Sequence, residues 1–414
     1  MKIGRLLIAI SVLMLLLQPA GAQVTLEKLR NSPEQMTGLF HPYPASPDAD
    51  TPAPAGFKPF YISHYGRHGS RFETSESLVT LAPSYFKKLR EAGLLTAKGE
   101  ALADFLQGIA DESAGRWGEL TELGAKEHRE IADRLYARFT PVFQDRKRAD
   151  VVCTASVVTR CVVSMASSTG ELRTLAPELR FSYRTGERYQ SFMRNTQTSQ
   201  KQNLRTNASL LQKRYKAELD PAKAGSALFT DCAAALALIP KPAAFFESIY
   251  RGWAIHLAMG CPFFDLRDYL DEETLMTLWG GTDARYLNGM SFPDAAVLLK
   301  EMLACADAAL DGGSVCADLR YGHDNMLLPM LSLLGLSPWP FTFEESNSVF
   351  DCASAVPMAS NLQMVFYKNR RDEVLVKILY NEHERILPGL KPVTGPYYDW
   401  NGLKKFFSNL ITNK

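Results

Sequence analysis

Residues 61–74 read YISHYGRHGSRFET. The eight residues from His64 to Arg71 hold two histidines, two arginines and two glycines. Cations repel one another, so a fold that crowds them must supply an anion, either a core carboxylate or a ligand. Phe60 to Tyr65 reads as a short strand and Gly66 to Arg71 as the loop at its carboxyl end. An arginine fork donates paired hydrogen bonds to phosphate or carboxylate oxygens, so Arg67 and Arg71 can grip one phosphate from two sides. Gly69 would let backbone N–H groups approach the same ligand. Between the arginines stands His68, whose neutral imidazole is a competent nucleophile toward phosphorus. The flanking cations stabilise charge on a transferring phosphoryl group and also disfavour imidazolium. The alternative is a cationic loop neutralised by carboxylates of the core. His64 and His68 also have an H-x3-H spacing. Two arginines beside a divalent cation oppose a metal there and no carboxylate-rich partner motif follows, so neither metal nor cofactor is expected.

Working outward, residues 41–59 carry six prolines and read as an extended approach to the strand. Leu123, Ile131, Leu135 and Phe139 recur on one face of a helix. Asp150 to Thr154 is strand-like, and Ser156 is a candidate cap for a helix that carries Arg160 near its start. Residues 232–310 are mainly helical in pattern, with breaks expected near Pro240-Lys241-Pro242 and Gly280-Gly281. Strands return at Asn361–Tyr367 and Val374–Tyr380, with residues 368–373 as a hairpin loop. Strands and helices at both ends with a helical middle predict an α/β fold, a mostly parallel central sheet flanked by helices, with an inserted α-helical second domain. The boundaries expected are 23–180 and 311–414 for the core and 181–310 for the insert. Open α/β sheets bind ligands at the carboxyl ends of their strands, where 61–71 places the cationic loop.

The 414 residues, 46% hydrophobic and 22% charged, are enough to bury a large core without disulfides. At the amino terminus, Lys2 and Arg5 precede an apolar run from Leu6 to Leu17, and Ala20-Gly21-Ala22 follows. This reads as a secretory signal peptide over 1–22, cleaved after Ala22, with a secreted or periplasmic product. The run is too short to span about 30 Å of hydrocarbon, and no membrane insertion is expected. Of 46 basic residues two lie in this leader, so 44 remain against 45 acidic ones and net charge says nothing about partners. Secretion would place seven cysteines in an oxidising space; Cys305 with Cys316 and Cys232 with Cys261 are candidate pairs, and connectivity stays open.

Local charge is more informative. Arg180, Arg184, Arg188, Arg194, Lys201, Arg205, Lys213, Arg214 and Lys216 are opposed only by Glu187. Such a field draws a substrate with many phosphates, or else is a solvated surface. Aromatic interleaving is thin and overall charge near neutral, so nucleic acid is not expected as a partner. Cys261-Pro-Phe-Phe-Asp-Leu-Arg267 has the C-x5-R spacing of cysteine-dependent phosphatases. It lacks glycines, and Asp265 would repel the anion, so core packing is the better reading.

Arg67-His68-Gly69-Ser70-Arg71 resembles the R-H-G-x-R signature of the histidine acid phosphatases, and HYGRHGSRF (64–72) looks most like their multiple inositol polyphosphate phosphatase branch. In family order, LTELG (120–124) resembles the L-T-x-x-G helix. VVCTASVVTRCVVSMAS (151–167) resembles the segment that supplies a third arginine, LRYGHDNMLLPMLSLLGL (319–336) the His-Asp segment, and KILYNEHERILPG (377–389) the closing strand. The resemblance implies that His68 attacks phosphorus and forms a phosphohistidine. Arg67, Arg71, Arg160 and His323 then hold the phosphoryl oxygens, and Asp324 protonates the leaving alkoxide. Asn325 is a further candidate substrate contact, as are Arg184, Arg188, Lys213 and Arg214. Two departures stand out. Glu73 replaces the proline of R-H-G-x-R-x-P, and His323-Asp324-Asn325 stands where the inositol branch commonly has His-Ala-Glu. The implied substrate is an inositol polyphosphate such as phytate. A broad acid phosphatase and a silent receptor for phosphorylated ligands are the alternatives, and the proton donor Asp324 argues against silence.

Overall fold

The computed structural model describes residues 30–44, 49–194, 213, 215–287, 292–336 and 351–412; the expected leader, Lys201, Arg205 and Arg214 lie outside them. One mixed sheet organises these residues, with strand order β3-β2-β4-β1-β5-β6-β7. β1 (Lys58–Arg67), β2 (Asp150–Ala155), β3 (Arg180–Arg184) and β4 (Val315–Gly322) are mutually parallel. β5 (Asn361–Lys368) runs antiparallel to β1, and β6 (Val374–Tyr380) antiparallel to β5. The short β7 (His383–Glu384) and β8 (Tyr397–Asp399) both pair with β6.

Side-chain alternation decides which face each residue joins. On β5, Leu362, Met364 and Phe366 enter one core while Val365 and Tyr367 enter the other. On β6, Val376, Ile378 and Tyr380 oppose Leu375 and Leu379 in the same way. The first face is covered by helices whose buried residues include Leu299, Met302, Leu327, Leu403 and Phe407. α3 (Glu122–Arg138) and α4 (Thr159–Leu175) cover the second face through Ala132, Leu135, Met165 and Leu172. A third core is mainly helical. In it α1 (Ser77–Glu91) and α2 (Ala97–Ser113) pack with α5 (Pro242–Ile255) and α6 (Glu272–Leu287). Residues 181–310 thus contribute β3 to the sheet, α5 and α6 to the helical core, and α7 (Phe292–Leu310) to the first face.

Three local expectations need correction. β1 extends through Arg67 because parallel pairing with β4 continues to Arg67 opposite Gly322, a non-local effect. α6 runs unbroken through Gly280-Gly281, where an added Cβ on Gly280 would come within 2.5 Å of the Tyr215 ring. Those glycines admit a neighbour; they do not end the helix. All seven cysteines are free thiols, and neither suggested pair forms. Cys316 is buried in the second-face core, whereas Cys305 lies with its Sγ 3.2 Å from Glu301. Among the described residues no helix is long and apolar enough to cross a membrane.

The loop after β1 is held by backbone-to-backbone contact. A Cβ on Gly69 would lie 2.5 Å from the carbonyl oxygen of Gly124, and one on Gly124 would lie 2.2 Å from that of Ser70. Thr121 caps α3 by accepting from Gly124 N, and its own N–H donates to Ser70 O at 2.9 Å. Gly124→Ala is therefore expected to cost about 1–3 kcal/mol of stability, because two rigid backbones must part. The urea midpoint should fall at unchanged slope.

Candidate active site

Parallel register brings the site together. With Arg67 opposite Gly322, the next residues His68 and His323 leave the sheet side by side. Their rings are 5.7 Å apart, edge to face. β2 flanks β4 with Ala155 opposite Tyr321, which delivers Ser156 to the same edge. Ser156 Oγ lies 2.9 Å from His323 Nε2. α4 begins at Thr159, with Val158 in the cap position, so Ser156 orients His323 instead of capping the helix as expected. α4 and α8 (Asp324–Leu333) both start at this edge without a side-chain cap, and helix N-termini favour anions.

His68 is buried, its N–H donating to Gly322 O at 2.9 Å and its carbonyl accepting from Ala359 N at 3.0 Å. Its Nδ1 lies 2.9 Å from the Gly69 carbonyl. A carbonyl only accepts, so in the neutral ring Nδ1 carries the proton and Nε2 keeps its lone pair. Arg67 Nη1 donates to Leu39 O at 2.9 Å and Val356 O at 2.6 Å, and Nη2 reaches Asp324 Oδ2 at 3.0 Å. Arg71 Nη1 donates to Phe72 O at 2.8 Å. Arg71 Nε and Arg160 Nε are buried without a hydrogen-bond partner, as is Asn325 Oδ1. Gly69 N donates to Ser164 Oγ at 3.2 Å, so Gly69 serves the contact with Gly124 and not the approach of an anion.

The electrostatics follow from this crowding. Burial, then Arg160, Arg67 and Arg71, hold the His68 imidazole well below its usual proton affinity, and it is neutral. Burial and Arg160 bring His323 down to about 4. Arg160 itself is lowered to about 10 by burial and by Arg71, and still carries its charge at neutral pH. Burial would raise Asp324, but Arg67, His323, Arg71 and Arg160 outweigh it and hold the carboxyl below its ordinary value.

The expected residues Arg67, His68, Arg71, Arg160, His323 and Asp324 thus share one electrostatic site, with Asn325 beside it. Arg184 and Arg188 bracket the ring of Tyr189 at 5.8 and 4.7 Å. The buried Gln190 ties that segment to the pocket edge: its Oε1 accepts from Val157 N at 3.2 Å, and its Nε2 lies 3.4 Å from the carbonyl oxygen of Ala155. Lys213 is exposed, two residues before Tyr215, which packs on α6 of the helical layer. Among the described residues no three His, Cys, Asp or Glu side chains are grouped to hold a metal ion.

Sequence reasoning missed Ser156 as a partner of His323, and it missed Glu127. Glu127 accepts from Ser70 N, Ser70 Oγ and Tyr43 N at 2.7, 2.7 and 2.9 Å. Its signal was present: Gly124, Glu127, His128, Ile131 and Leu135 share the buried face of α3, and a carboxylate on such a face must have partners.

No model of a protein family matches the chain, and no curated protein matches it in sequence. Solved structures do match. The multiple inositol polyphosphate phosphatase of Bifidobacterium longum, in complex with inositol hexasulfate, superposes with a TM-score of 0.71 at 18% identity, over 90% of this chain and 97% of that one. The phytase from D. castellii gives 0.65 at 13% identity, over 96% and 92%. A Hafnia alvei phytase in complex with myo-inositol hexakis sulphate gives 0.52 at 15% identity, over 86% and 98%. The chain has the fold of the histidine acid phosphatases and phytases.

Two further histidines stand behind the pocket. His64 and His128 both pack on Tyr321, and burial holds each at about 3. In the unfolded chain they titrate near 6.5. The unfolded state therefore binds more protons between about 3 and 6.5, and stability falls as pH drops through that window. Denaturant midpoints are expected to decline from pH 6.5 downward, and His128→Phe should flatten the slope.

Proposed function

We propose that this chain is a secreted phosphomonoesterase that removes phosphate from phytate and related inositol polyphosphates through a phosphohistidine. The observation that carries the reading is an imidazole kept unprotonated among three guanidiniums, those of Arg67 and Arg71 buried and that of Arg160 half-buried, with the Nε of Arg71 and of Arg160 buried and without an acceptor in the protein. Buried donors without partners are rare, and a phosphoryl group supplies acceptors for them. In this reading Arg67, Arg71, Arg160 and His323 hold the non-bridging oxygens. His68 Nε2 attacks phosphorus in line, the N–P bond forming as the P–O bond to the alkoxide breaks. Asp324 gives its proton to the leaving oxygen. It then takes one from water, whose oxygen attacks phosphorus and returns the bonding pair to Nε2. General acid help of this kind is worth about 10²–10⁴ in rate. The guanidiniums depress Asp324 in the free protein, and the negative charge of the bound phosphoryl group restores its proton affinity. The mature product would begin at Gln23.

The substrate class rests on the basic rim. Gln190 fixes the segment bearing Arg184 and Arg188 beside residues 155–157; in this reading those charges would meet phosphates other than the one being cleaved. The likeness to an inositol polyphosphate phosphatase that holds inositol hexasulfate supports the same class. A broad acid phosphatase is the second reading, favoured by Asp324 directly following His323, as in the general branch of the family.

His68→Ala is expected to abolish phosphate release while phosphate still binds, and rapid quench of the wild type should trap an acid-labile, base-stable phosphoenzyme. Full turnover in His68→Ala would end this mechanism. Neutralising Arg184 and Arg188 together should lower kcat/KM on phytate far more than on an aryl monophosphate. Salt should act in the same selective sense, because exposed charges are screened over about 8 Å at physiological ionic strength. A ratio of efficiencies that stays constant would favour the broad phosphatase.

A further inference from the structure

Glu73 stands two residues after Arg71, where the resembling signature has proline. It is fully buried. A buried carboxylate is costly unless paired and hydrogen-bonded. Its partner comes from the helical layer: Arg251 of α5 donates to Glu73 Oε2. Thr74 N and Thr74 Oγ donate to Oε1 at 2.6 and 3.0 Å, and Arg71 Nη1 stands 3.8 Å from the same oxygen. The guanidiniums of Arg71 and Arg251 both lie over the ring of Phe40, at 5.1 and 4.8 Å. The buried neighbours of Arg251 along α5 include Phe245, Phe246, Ile249, Tyr250 and Trp253. An arginine on so apolar a helix makes physical sense only if its charge is needed where it points, and it points at the phosphate loop.

We propose that Glu73, anchored by Arg251, is a positioning residue of the phosphate pocket that aims Arg71 and supplies a fixed negative charge among the pocket's guanidiniums. The inference rests on the phosphatase reading above. Glu73 stays ionised throughout the working range: burial would raise it, but Arg251 and Arg71 hold it at about 2. The groups facing it are Arg71, Arg251 and Thr74. Those facing Asp324 are Arg67, Arg71, Arg160 and His323, with Tyr65, Cys161 and Cys352 also near, and Glu127 stands beside Arg67. Removing the charge of Glu73 leaves Arg71 uncompensated, and Asp324 then holds its proton less well.

The test compares the wild type with Glu73→Gln and Arg251→Lys on an aryl monophosphate, reading kcat across pH. In Glu73→Gln the alkaline limb of kcat should move to lower pH by about 0.5 to 1 unit, the size of one charge removed at second hand. In Arg251→Lys the charge remains but the Nη2 contact with Glu73 Oε2 is lost. There kcat/KM should fall about tenfold, one hydrogen bond to a charged group, with the limb unmoved. A Glu73→Gln limb that coincides with the wild type overturns the proposal. Should Glu73→Gln not fold, Glu73→Asp carries the test, since it keeps the charge and withdraws it by one methylene. Reduced kcat/KM with an unmoved limb supports the role, and unchanged kcat/KM overturns it. A wild type that releases phosphate from no monoester would instead refute the phosphatase reading itself.

Discussion

Arg67 and Arg71 are buried, and Arg160 half-buried, around one uncharged imidazole, and like charges in a low-dielectric interior repel strongly. The surrounding structure can be understood as what makes that burial tolerable. Two backbone carbonyls, from Leu39 and Val356, take one nitrogen of Arg67, while Asp324 takes another. Arg71 rests on the face of Phe40 with Glu73 behind it. Arg160 receives least, and burial together with the neighbouring Arg71 lowers its proton affinity to about 10. Functional sites commonly break the rules that the rest of a fold obeys. Here the broken rule is the neutralisation of buried charge, and an anion with several oxygens is the group that mends it.

Only a stiff frame can hold such a site. Parallel strands ending in register put His68, Ser156 and His323 at one edge, so the positions of these three groups follow from backbone hydrogen bonds. The loop carrying His68 and Arg71 is pressed on α3 at Gly69 and Gly124, a contact with no rotamers to relax. From the other side the helical layer adds Arg251, and the short helical segment Pro33–Phe40 adds Phe40 and the carbonyl of Leu39. The pocket therefore lies where the carboxyl edge of the sheet meets the helical core, and both contribute to the direction of its arginines.

Much of this was legible in the sequence. β5, β6 and the hairpin between them could be read because alternation and a polar turn are local signals. The pocket residues could be read because the loop 67–71 and the segments around Arg160 and His323 each carry their own pattern. What escaped depends on contacts between distant residues. The extension of β1 through Arg67 needs β4. Gly280 and Gly281 looked like a helix break because the sequence does not announce that Tyr215 will lie against them. Glu73 looked like a mere departure from a proline because its partner Arg251 is 178 residues away. Ser156 was assigned to a helix that starts three residues later, since a hydroxyl beside a helical pattern resembles a cap whether or not it is one.

The pocket makes opposite demands with one set of charges. The proposed mechanism needs His68 without a proton and Asp324 with one, yet the same guanidiniums lower the proton affinity of both. For the proposed nucleophile this field is favourable. For the acid it is an obstacle that the protein alone does not remove, although Glu73 lessens it. On the proposed reading the substrate removes it, because a phosphoryl group seated among the arginines would bring negative charge next to Asp324 at the moment a proton is needed. A site built this way is poorly set for acid chemistry when empty and well set when occupied. Binding energy from the arginines is then used to correct the proton inventory as well as to hold the phosphoryl oxygens, and such binding contributes to rate because its benefit is greatest as the alkoxide leaves.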